Sequence, residues 1–98
     1  QSEGETDLTV LEDEEKKGLF TLLTYYEYIA TAYFADSVDR GVVLRQRAKS
    51  LEMTYHLLRP LIEERRVALK APDLYNEFEE LATKEVARYR RRPGTGRF

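Results

Sequence analysis

Apolar residues recur at helical spacing along most of this chain, and no run alternates with the period of two that marks a strand. The longest apolar run, LFTLLTYYEYIATAYFA, extends from Leu19 to Ala35. At about 100° per residue, Leu19, Leu22, Leu23, Tyr26, Ile29, Ala30 and Tyr33 share one wide face. Phe20, Tyr28 and Phe34 lie elsewhere, so the predicted helix is apolar on nearly every side. That implies contact with more than one element: both other helices, or another protein chain. The carboxylates of Glu12 to Glu15 suit the start of this helix, where the dipole is positive. Turn formers in DSVDRG end it near Asp36.

A second stripe runs through Leu44, Ala48, Leu51, Tyr55, Leu58, Ile62 and Leu69 in steps of four and three, with Arg65 interrupting it. It stays in phase across Pro60, which predicts one long helix kinked there, although proline costs ~3 kcal/mol in a helix interior. APD stops and restarts the chain, with Pro72 suited to a first helical turn. The third helix is expected to bury Leu74, Phe78, Leu81 and Ala82, with Val86 and Tyr89 following on the same side. The predicted fold is all-α: a long antiparallel helix pair, the second helix kinked at Pro60, with a third helix packed across it. Residues 1–11 read as an acidic flexible leader, 12–92 as one helical domain and 93–98 as a basic tail.

Length and composition narrow this further. Ninety-eight residues suit one domain with a single core, and 42% hydrophobic with 35% charged residues suits a folded, well-solvated chain. With no cysteine, disulfides and thiolate chemistry are excluded. The net charge of −2 conceals an asymmetry. Residues 1–15 hold seven acids and no base, whereas KEVARYRRRPGTGRF at the other end holds six bases and one acid. The chain opens QSEGETDL without an initiator methionine, which predicts a trimmed or processed product whose upstream part was a tag, a membrane segment or another domain.

Candidate chemistry is sparse. A membrane span needs about 20 mainly apolar residues, and a central acid costs roughly 2.5–3.5 kcal/mol on insertion scales. The Leu19–Ala35 run is shorter and carries Glu27 near its middle, so no span is expected within the chain. Glu27 borders the core face and needs a partner, because a buried lone carboxylate is costly. An ion pair with Arg65 or Arg66, and next with Arg59, would clamp the first helix to the second. A catalytic role for Glu27 lacks a second acid, a nucleophile with its base, and a phosphate loop. His56 is the only histidine. Its spacing from Glu52 and Glu63 does not follow a metal-ligand pattern, so it reads as a surface residue beside Glu52. The final stretch, with Arg88, Tyr89, Arg90, Arg91, Arg92 and Arg97, offers charge and stacking for phosphates and bases. The chain as a whole lacks the basic footprint of a nucleic-acid binder.

Three stretches, LLTYYEYIA (Leu22–Ala30), LLRPLIEERR (Leu57–Arg66) and LYNEFEELA (Leu74–Ala82), together resemble a family of small bacterial helical domains of unknown function. The resemblance covers roughly residues 16–84. It implies a domain that often follows a single N-terminal membrane segment, with Glu27 and one arginine of the Arg65–Arg66 pair belonging to the architecture. The chain departs from the family pattern at Thr24, where asparagine is commoner, and in lacking a tryptophan near the end of the third helix. The expected function is a non-catalytic interaction or self-association domain, with protein as partner and with no cofactor or metal. Nucleic-acid binding through the arginine-rich segment is the alternative. The expected location is the cytoplasm, or the cytoplasmic face of a membrane where an anchor has been removed.

Overall fold

The computed structural model describes residues 11–91, and these form three helical stretches with no strand among them. Helix α1 spans Asp13–Phe34. It opens as the carboxylates suggested, with the Glu15 side chain accepting the Glu12 backbone N–H at 3.1 Å. Helix α2 spans Arg40–Ala68, and the Asp39 carboxylate caps it by accepting the Val42 N–H at 3.1 Å. The third stretch, α3, begins as Asn76–Glu80, passes through a π-helical turn at Leu81–Glu85 and resumes as Val86–Arg91.

Both long helices end in the same way, without glycine. After α1, Asp36 takes a left-handed φ of 59°, and the N–H groups of Asp36 and Ser37 bond back to Tyr33 and Ala32. After α2, Lys70 takes φ 53°, and Lys70 and Ala71 bond back to Val67 and Arg66. This pairing satisfies the orphan carbonyls of a last turn. Pro60 lies inside α2, on its exposed side, and the helix continues through it. Pro72, in contrast, belongs to the turn between α2 and α3 rather than to a helix, a correction to the sequence reading.

Helices α1 and α2 run antiparallel, with Lys16 against Glu64 at 3.2 Å and the Tyr26 hydroxyl against Ser50 at 2.9 Å. The start of α3 packs on α1, and its later turns pack on α2. At the centre, Phe78 is fully buried, stacked on Tyr26 at 5.1 Å and edge-on to Tyr55 at 5.7 Å. Each long helix therefore contributes one ring to the grip on Phe78. Around it lie Leu23, Leu51, Leu58, Ile62, Leu81 and Val86, all anticipated as core. Leu61 and Tyr75 are buried without having been anticipated. Leu22 and Leu69 were expected in the core and are exposed, whereas Leu11, assigned to the leader, packs against the core.

Candidate functional site

The sequence singled out Glu27, and the structure gives it a different partner. Its Oε1 accepts the backbone N–H of Phe78 at 2.9 Å, at the first turn of α3. The carboxylate thus satisfies a donor that α3 cannot satisfy internally, and it places negative charge at the positive end of that helix. Burial pushes the Glu27 carboxyl above its ordinary 4.5; the Phe78 N–H opposes this, the Glu77 charge adds to it, and the Glu77 N–H and Arg66 pull it back.

The expected ion pair of Glu27 with Arg65 or Arg66 is not made. Arg66 donates from Nε to the Leu74 carbonyl at 2.7 Å and from Nη2 to Glu79 at 2.9 Å. Glu27 and Arg66 therefore hold the same turn from two sides instead of holding each other. Between their contacts sits Tyr75, a buried tyrosine with φ 62°, a conformation a bulky residue adopts only when its surroundings impose it. Arg65 lies over the Phe20 ring, its guanidinium carbon 4.0 Å from the centroid, and its buried Nε has no hydrogen-bond partner among the described residues. Arg59 pairs with Glu63 on its own helix.

The remaining polar candidates are dispersed. His56 is exposed and edge-on to Tyr55 at 5.6 Å. Glu52, expected beside it, pairs with Arg90. Arg88 pairs with Glu85, which also accepts the Tyr33 hydroxyl at 2.8 Å. Burial and that bond push the Tyr33 phenol up to about 12. Of the arginine-rich segment, Arg91 is exposed and Tyr89 packs partly against the core, while Arg92 and Arg97 lie outside the described residues, as do the tail and all of the leader but Leu11. Among the described residues no three metal-binding side chains converge, and no helix is long and apolar enough to cross a membrane.

What does converge is apolar surface. Between Lys17 and Asp36 the one charged residue is Glu27, and it reaches α3. From Gly18 onward the outward side of α1 consequently carries no charge. It shows Tyr25 and Tyr28, 47% and 72% exposed, beside Leu22. The contacts of Lys16 with Glu64 and of Tyr26 with Ser50 set a register that brings Leu22 level with Leu57 of α2, which is 61% exposed and one turn from exposed Met53. Single exposed apolar residues are ordinary; here Leu22, Tyr25 and Tyr28 of α1 and Met53 and Leu57 of α2 leave an apolar surface on two adjoining helices. Tyrosine suits such a surface, having a large apolar ring and a hydroxyl that tolerates water. The sequence held the signal, in a helix apolar on nearly every side.

The family described as Domain of unknown function (DUF4760) matches residues 2–84, and the chain belongs to it. No curated protein and no solved structure matches the chain.

Proposed function

We propose that this member of a family without an assigned activity is a non-catalytic helical docking domain, and that the outward face of α1 is where it docks. The observation that carries this reading is the uncharged aromatic face of Leu22, Tyr25 and Tyr28, continued by Leu57 and Met53. The division of labour within α1 supports it. Leu23, Tyr26, Ala30 and Tyr33 are spent on the core, and Glu27 on starting α3, while the outward tyrosines have no architectural duty of that kind. Nucleic acid is the less favoured partner, because Arg88 and Arg90 already have carboxylate partners. A photo-reactive amino acid placed at Tyr28 in cells tests the reading against the same group placed at Lys84, an exposed position of α3. Protein adducts from position 28 and none from position 84 are expected. Absence of protein adducts at 28, or equal yields at both, would overturn the reading.

A further inference from the structure

Resting on that docking reading, we infer that the occupant of the α1 face is a second copy of this chain, its α1 laid antiparallel across a two-fold axis near Tyr25. Helix α1 carries two seams of apolar and small residues, each spaced in alternating steps of four and three. Leu19, Leu23, Tyr26, Ala30 and Tyr33 form the inner seam, which faces the domain core. Gly18, Leu22, Tyr25, Ile29 and Ala32 form the outer seam, roughly a quarter-turn away. A 3.5-residue average spacing is the pattern by which one helix packs along another. Of this outer seam, Gly18, Leu22 and Tyr25 are exposed, while Ala32 is half-buried and Ile29 packs in part against the domain core.

Two features select a second copy and set its direction. The outer seam reads small, aliphatic, aromatic, aliphatic, small, so reversing it about Tyr25 sets Leu22 against Ile29 and Gly18 against Ala32. A two-fold interface has this self-complementary form. A side chain added at Gly18 would meet nothing within 4 Å, which leaves room there for the opposing helix. Charge gives the second, independent selection. Asp13, Glu14 and Glu15 crowd the start of α1. At the other end of the α1–α2 hairpin, Asp36 pairs with Arg40 and Asp39 caps α2, and beyond them the stretch from Gly41 to Leu51 holds Arg45, Arg47 and Lys49 and no acid. None of these three bases makes an ion pair among the described residues. An antiparallel copy brings each acidic end onto the partner's basic end. A parallel copy would set acid on acid and base on base, which costs binding free energy.

The absence of native cysteine makes the arrangement directly testable with the 98-residue chain. Gly18→Cys and Ala32→Cys variants, treated with a short bis-maleimide, should cross-link to each other when mixed and far less when each is alone. Tyr25→Glu should weaken the pairing roughly a hundredfold by sedimentation, since the new carboxylate would be buried unpaired. Glu14→Lys should weaken it less, and adding Lys49→Glu should recover part of the loss. Efficient cross-linking of Gly18→Cys alone would overturn the antiparallel arrangement. A monomer at all concentrations would overturn the second copy as occupant. Adducts from position 28 to a different protein would then leave the docking reading standing, and their absence would remove both.

Discussion

Glu27 of α1 accepts the backbone N–H of Phe78 at 2.9 Å, so a side chain from one helix caps the start of another. Its removal strands an N–H at the first turn of α3. Glu27→Ala should therefore destabilise the fold by about 0.5–2 kcal/mol, the range for a lost helix cap. Glu27→Gln keeps an acceptor oxygen and should cost less than alanine. Urea titrations of the three proteins check this. Equal losses for alanine and glutamine would mean that charge, not hydrogen bonding, is what the position supplies.

The same carboxyl predicts a pH effect of defined sign. Its folded-state pKa is raised above the ordinary 4.5, chiefly by burial, so the folded protein binds this proton more tightly than the unfolded chain. The resulting stability is fully present below the unfolded value and is lost as pH rises through the folded value. Wild type should thus gain on Glu27→Gln as pH falls toward 4.5 from neutrality. Taking the difference cancels the other carboxylates. A wild-type advantage that shrinks on acidification would reverse the assignment.

Tyr33 carries a corresponding prediction at high pH. Its hydroxyl donates to Glu85, and its phenol is pushed up to about 12 from 10. The stability gained by holding it neutral is fully present below 10 and lost as pH rises through about 12. Tyr33→Phe should be less stable than wild type near neutrality by about 1.5–3 kcal/mol, the range for a hydrogen bond to a charged group. The gap should narrow in strong alkali. Thermal melts over the alkaline range check it.

Pro60 is exposed inside a continuous helix, where it removes a backbone donor and leaves the His56 carbonyl without its ladder partner. Pro60→Ala should raise stability by up to ~3 kcal/mol, less whatever proline contributes by restricting the unfolded chain. A loss of stability on this substitution would show that the proline shapes α2 in a way the packing requires.

The α2 stripe from Leu44 to Ile62 was legible because every member faces one way, and its phase across Pro60 gave the continuous helix. Leu61 was missed because α2 is covered by both α1 and α3, which widens its buried face beyond a single stripe. Leu22 misled for the opposite reason: α1 has apolar residues on two faces, and the pattern alone does not say which face the domain covers. The partner of Glu27 was illegible in kind. A backbone N–H at a helix start carries no residue-type signature, so the eye goes to arginines that turn out to hold other groups. The π-turn at Leu81–Glu85 left no mark in the apolar spacing either; the Thr83 hydroxyl bonds the Glu79 carbonyl at 2.6 Å as that turn begins.

The sharpest test separates the inner and outer duties of α1 by measuring mass and melting temperature together for wild type, Glu27→Ala and Tyr25→Glu. Wild type should sediment at twice 11.5 kDa at raised concentration. Glu27→Ala should melt lower when compared at matched dimer occupancy, yet still double its mass under conditions where it is folded. Tyr25→Glu should remain at 11.5 kDa with a helical spectrum unchanged from wild type. If Tyr25→Glu doubles its mass as readily as wild type, or if wild type never does, the outward face of α1 is not where this chain meets its own copy.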